Sequence, residues 1–172
     1  LKMPLSALYR AFDAELATGA FAGRATLNYL ASHDDMGPHD PARADHFAAA
    51  EALLLAPGGV QIYYGDEIAR SLVVPGTKGD ATLRSVFDWQ QASTEPGQAM
   101  LRHWQKLGQF RARHPAIGAG RHYELGIRPY TFGRIIAEAG IADRVVVAMT
   151  AGQDGPITIR TGTVFAEGTV LR

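Results

Sequence analysis

The chain has 172 residues, 47% of them apolar and 20% charged, the composition of a globular protein with one domain or one plus a small second. Lys plus Arg and Asp plus Glu both number 17, so no bulk charge directs the chain to nucleic acid or to an anionic membrane surface. There is no cysteine, which excludes disulfide and thiolate chemistry and leaves the compartment open, and no apolar run reaches the length of a membrane span.

The opening residues Leu1-Lys2-Met3-Pro4 carry no signal-like apolar segment and read as the middle of a longer sequence. Residues 5–18 read as a helix, because Leu5, Leu8, Tyr9, Phe12 and Leu16 share a face; Gly19 and Gly23 end it. Leu27 to Ser32 is a short apolar run with β-formers, expected as a buried strand, and it stops abruptly in His33-Asp34-Asp35. A parallel strand ending this way places ionisable groups where α/β barrels keep their chemistry. From spacing alone, a polar turn that merely ends the strand fits equally well.

The loop Met36-Gly37-Pro38-His39 follows, and Asp40 is expected as an N-cap with Pro41 at the first helical position. A helix over about 41–56, rich in Ala and Leu, has the low polarity of an element buried against a sheet, and Pro57-Gly58-Gly59 breaks it. Residues 60–64 form a second strand, closed by Gly65-Asp66-Glu67. The irregular stretch 70–93 is long enough to suggest a functional loop. A further helix spans 95–113, with Met100, Trp104, Leu107 and Phe110 on one face and Pro115 beyond its end. After Gly120 the pattern changes to strands, expected over 130–137, 144–149 and 157–160, with no helix. The order reads as βα units of a parallel sheet followed by a small all-β part, with a boundary near 117–121.

These stretches together resemble the C-terminal third of the alpha-amylase superfamily of glycoside hydrolases. Tyr29-Leu30-Ala31-Ser32-His33-Asp34 is similar to the family's F-x-x-N-H-D motif at the end of the seventh barrel strand, with Ser32 where Asn is commoner. Leu53 to Glu67, LLLAPGGVQIYYGDE, is similar to the segment leading through the eighth strand to Y-G-x-E. Arg84 to Trp89, RSVFDW, resembles R-x-x-M-x-W, and His103 to Gly120 resembles the last barrel helix. The order of four motifs is specific where any one alone would be weak.

The resemblance implies an α/β fold: the C-terminal part of a (β/α)8 TIM barrel, with its last two strands and last helices (1–118), followed by the start of an antiparallel β domain (119–172). It implies part of a retaining glycosidase acting on alpha-1,4-glucans such as starch and maltooligosaccharides, in a periplasmic or secreted location. A complete barrel takes about 250 residues, so the nucleophile and general acid are expected upstream of Leu1, and this chain alone is expected to be inactive. Asp34 would be the carboxylate that stabilises the transition state, and His33 a ligand of sugar hydroxyls. Asp80 and Arg84 have the spacing of a pair that, in the family, holds glucose units further along the cleft; a surface ion pair fits that spacing equally well. Asp66 and Glu67 read as structural or loop-orienting. Tyr63, Tyr64 and Trp89 are expected in packing rather than stacked on sugars. No cofactor is expected in this chain, with calcium in the complete enzyme. The expected partner is an alpha-glucan, without nucleic acid or membrane, and the fragment is expected to self-associate through its open sheet edge. Two other readings stand beside this one. One is a metal-dependent hydrolase built on His33, Asp34, Asp35, His39, Asp40 and His46; the other is a non-catalytic glucan-binding fragment.

Overall fold

The computed structural model describes residues 4–35, 37–150 and 155–170. Leu1 to Met3 and Met36 of the first loop therefore lie outside the described residues. Two compact units emerge, neither of them continuous in sequence. The first comprises Leu1–Thr26, Ala56–Gly58 and Arg111–Arg172, and the second Leu27–Leu55 and Gly59–Phe110. The boundary expected near 117–121 lies inside the first unit.

In the first unit, helix α1 (Leu5–Ala17) starts directly after Pro4 and keeps its expected face. Tyr9 is fully buried, with its ring edge-on to Phe132 at 5.4 Å between centroids. Three antiparallel strands form a meander: β3 (Arg121–Ile127), β4 (Tyr130–Glu138) and β5 (Ile141–Met149). The β4–β5 register, from Tyr130↔Met149 to Glu138↔Ile141, leaves Ala139 and Gly140 as a two-residue turn. Both have positive φ, as the hairpin turn that matches strand twist requires. Strand β3 is absent from the sequence-based expectation. Its polar residues break the alternation, and its ladder with β4 shifts register between Glu124 and Gly126. Conversely, Ile157 to Arg160 joins no ladder among the described residues; β-propensity without a partner does not make a strand.

At the centre of this unit Arg134 is fully buried. Its guanidinium lies 5.0 Å from the Tyr9 ring centroid and 4.8 Å from that of Phe132, and it donates to the Ile117 carbonyl. Its Nε donates to His122 Nδ1 at 3.3 Å. Arginine can only donate, so Nδ1 is bare and His122 is neutral. Burial and the Arg134 charge hold the His122 pKa down to about 4.

The second unit is built on a parallel pair, β1 (Leu27–Asn28) and β2 (Gly59–Val60), in register Leu27↔Gly59. Both strands are shorter than the runs 27–32 and 60–64. The Gln61 N–H to Asn28 O bond (2.8 Å) extends the backbone pairing by one residue before the segments turn into loops. Helix α2 (His46–Leu54) and helix α4 (Glu95–Arg113) pack on this pair, joining Leu30, Ala49, Ala50, Leu53, Leu54, Met100 and Trp104 in one core. Helix α4 has the limits its periodicity predicts. Helix α2 begins five residues later than expected, and Asp40 does not cap it. The Asp40 carboxylate instead accepts from the backbone N–H groups of Ala44 and Asp45, both at 2.9 Å. Asp40 and Arg43 adopt left-handed φ values of 46° and 61°, a turn that points Arg43 inward rather than starting a helix. In sequence, the short helix α3 (Trp89–Ala92) precedes α4, and α5 (Ala116–Ala119), which belongs to the first unit, follows it.

Candidate functional site

The candidate site forms where β1 ends. A small buried cluster of Ala31, Tyr63, Leu72 and Leu83 ties together the loops that follow β1 and β2. Ala31 stands two residues before His33 and Leu83 one before Arg84, so burying the apolar members delivers the polar ones to one place.

His33 Nε2 donates to Asp34 Oδ2 at 2.9 Å. Arg84 Nη2 donates to Asp34 Oδ1 at 2.6 Å, and Arg84 Nε to the His33 carbonyl at 3.2 Å. Asp80 Oδ2 lies 3.5 Å from the same Arg84 Nη2. The four residues predicted from the sequence thus converge, and Arg84 bridges two carboxylates that come from separate loops. The side chains stay open to solvent, 62% exposed for His33 and 64% for Asp34. Ion pairs this exposed contribute little to stability. Their chemical content is a compact set of sugar-compatible groups: a carboxylate that accepts, and a guanidinium fork and imidazole that donate.

Beneath this surface lies a buried ionic layer that the sequence did not signal. Asp66 and Arg43 are both buried and pair at 2.6 Å. The second Asp66 oxygen accepts from the Tyr63 N–H at 3.1 Å, and the Asp66 carbonyl accepts from His46 Nε2 at 2.7 Å. Burial pushes the Asp66 carboxyl above its ordinary value, against the pull of Arg43, and pushes Arg43 below its own. His46 is held down to about 4 by burial and by the neighbouring Arg43 charge. Its Nδ1 is buried without a hydrogen-bond partner, so a second ring proton would have no acceptor. Glu67 accepts from the Gly65 N–H at 2.8 Å. Asp66 and Glu67 are accordingly structural, as their place after the second strand suggests. Arg43 and Asp66 stand 23 residues apart in the sequence, beyond the reach of periodicity and local spacing.

The aromatic residues divide. Tyr63 is buried and donates to the Leu83 carbonyl at 3.1 Å; Tyr64 is partly exposed and donates to the Ser85 carbonyl at 2.6 Å. Trp89 departs from the packing expectation, being 76% exposed. It opens α3 directly after the Asp88 cap, which carries its ring outward onto Phe87 at 4.6 Å between centroids. Among the described residues no three His, Asp or Glu side chains gather as a bound metal ion would require. Of the proposed metal ligands, His46 gives its Nε2 to a carbonyl and Asp40 its oxygens to backbone amides.

No protein-family model matches the chain. It is 45% identical over 128 residues to the periplasmic alpha-amylase of Escherichia coli (strain K12), a match that takes in 74% of this chain. The chain spans 18% of the length of that curated relative. Among solved structures, it is similar to the cyclic alpha-maltosyl-(1→6)-maltose hydrolase of Arthrobacter globiformis in complex with maltose. That similarity has a TM-score of 0.51 and 25% identity, covering 85% of this chain and 38% of the hydrolase. It is also similar to AmyP in complex with maltose, with a TM-score of 0.52 and 17% identity over 73% of this chain and 30% of AmyP, a likeness of fold alone.

Proposed function

We propose, from the premise that this chain belongs to the alpha-amylase superfamily of glycoside hydrolases as a C-terminal part, that His33, Asp34, Asp80 and Arg84 bind an alpha-1,4-glucan beside its scissile bond. The observation that carries this reading is the convergence of His33 and Arg84 on Asp34, with Asp80 beside the same Arg84, in the loops that follow a parallel pair of strands. Maltose in the structure of the Arthrobacter globiformis hydrolase supports an oligosaccharide of glucose as the ligand.

In a retaining glycosidase one carboxylate attacks the anomeric carbon and a second carboxyl group protonates the leaving oxygen. The transition state carries positive charge near the anomeric carbon. A further carboxylate held beside the ring lowers the barrier electrostatically and grips hydroxyls as the ring distorts. Asp34 has that role here. His33 donates to hydroxyls of the same sugar, while Arg84 and Asp80 hold the neighbouring unit. The nucleophile and general acid belong to a longer protein of which residues 1–118 supply the last part of the barrel, and residues 119–172 the beginning of the following β domain. That protein acts in the periplasm on maltooligosaccharides or starch, with calcium bound elsewhere in its structure. The chain alone binds glucan without cleaving it, and tends to self-associate.

In the longer protein, Asp34→Asn keeps the packing but removes the charge. It is expected to lower kcat by orders of magnitude, on the order of a thousandfold, with little change in KM or thermal stability. Near-normal turnover of maltoheptaose by that variant would refute the assignment.

A further inference from the structure

We infer that Arg70 is a positioning residue whose guanidinium fixes the peptide on both sides of Arg84 and so sets the Arg84 fork against Asp34. The side chain of Arg70 is buried, and its donors go to acceptors around Arg84. Nη2 donates to the carbonyl of Leu83 at 3.1 Å, and Nη1 to the Oγ and carbonyl of Ser85 at 2.5 Å and 3.4 Å. Nε and Nη2 also reach the Tyr64 carbonyl, at 3.3 Å and 3.1 Å. One rigid, planar fork therefore holds residues 64, 83 and 85 together, a geometry that the point charge of lysine cannot reproduce.

The surroundings are built for this clamp. The Tyr64 ring lies under the guanidinium at 4.2 Å, and its hydroxyl donates to the Ser85 carbonyl at 2.6 Å. Gly65, at φ +89°, lies where a Cβ would run into Arg70, so glycine serves here both for the turn and for the space. Arg70 is itself held, because its own carbonyl accepts from Arg43 Nε at 3.0 Å, and Arg43 is paired with Asp66. The buried ionic layer is thereby connected to the exposed fork at the site. Arg84 is half exposed, and holding an exposed arginine in one geometry costs side-chain entropy, so a fixed backbone on either side of it favours the fork seen here.

The test has two arms, and only the second rests on the glucan-binding reading. In the chain with ¹⁵N-labelled arginine, the Nε–H of Arg84 donates to His33 O and is expected to exchange slowly with solvent. Arg70→Lys should speed that exchange about tenfold, the scale of one lost charge-assisted hydrogen bond, while amide protection of helix α2 stays unchanged. Tyr64→Phe, which removes only the hydroxyl, should speed it by about twofold to threefold and covers the case in which Arg70→Lys does not fold. Unchanged Arg84 Nε–H exchange in a folded Arg70→Lys chain, or in Tyr64→Phe if that variant alone folds, overturns the inference. In the second arm, maltoheptaose affinity is compared for Arg70→Lys, Arg84→Met and the double variant. Arg70→Lys should weaken binding, yet add nothing once Arg84 is gone; additive losses overturn the inference, because Arg70 would then act independently of Arg84. A wild-type chain that binds no maltoheptaose would count against the proposed function, and the exchange arm would still decide the role of Arg70.

Discussion

Both units bury arginine, and Arg134 of the first and Arg43 of the second are held by different means. Arg134 packs against the rings of Tyr9 and Phe132 and gives hydrogens to a carbonyl and to a neutral imidazole, in a unit whose three-stranded meander pairs strands that are neighbours in sequence. Arg43 is matched by the full charge of Asp66, in a unit whose parallel ladder is two residues long and whose loops are fastened by side chains. An antiparallel sheet closes its backbone bonding locally and can afford an aromatic core. Loops that must present exposed groups cannot bury their own backbone in a ladder, so arginine forks and a buried carboxylate take that place.

The comparison breaks most severely where the charge match is lost. Asp66→Asn leaves Arg43 buried beside an amide and should destabilise the second unit by about 3–5 kcal/mol, measured by urea unfolding. Replacing Arg43 and Asp66 together by Met and Leu should recover most of that loss, since a paired charge is needed only once one member is present.

Acid tests both units at once. His46 and His122 have pKa values held to about 4, below the ordinary 6.5. Between these values the unfolded chain binds protons that the folded chain refuses. Stability is therefore complete above pH 6.5 and declines as pH falls toward about 4, by up to about 3 kcal/mol for each histidine. Urea midpoints recorded from pH 7 to pH 4.5 should show this slope, and His46→Gln and His122→Gln should each remove part of it.

Arg134→Met separates the two solutions more finely. It keeps the apolar bulk but leaves the Ile117 carbonyl and His122 Nδ1 without this donor, at a cost of about 1–3 kcal/mol. That is less than the cost of Asp66→Asn, because no buried charge is stranded. The smallest effect belongs to the Asp88 cap of α3, whose carboxylate accepts from the Gln91 N–H at 2.8 Å. Asp88→Ala should cost about 1 kcal/mol.

What the sequence made legible follows the same division. Helix α4 was readable because one apolar face runs through Met100 and Trp104 and Pro115 follows its end. Strands β4 and β5 were readable from their β-branched and aromatic runs, whereas β3 was hidden by His122, Glu124 and Gly126. His33, Asp34 and Arg84 were singled out by ordered motifs and Asp80 by its spacing to Arg84, and the convergence of the four follows from the buried anchors at Ala31 and Leu83. The shortness of β1 and β2 was not legible, because an apolar run reports burial and not how many neighbours share its ladder. Nor were Arg43 and Arg70, since the partners that give them meaning lie 23 and 13 to 15 residues away along the chain. Periodicity and local spacing carry no information over that range.

The most direct measurement is an amide NMR titration of the chain with maltoheptaose. Saturable shifts are expected at His33, Asp34, Asp80 and Arg84, with the amides of β3, β4 and β5 unmoved, and with those shifts lost in Asp34→Ala. Saturable binding that leaves those four residues unmoved, or no binding at millimolar sugar, would contradict the proposed site.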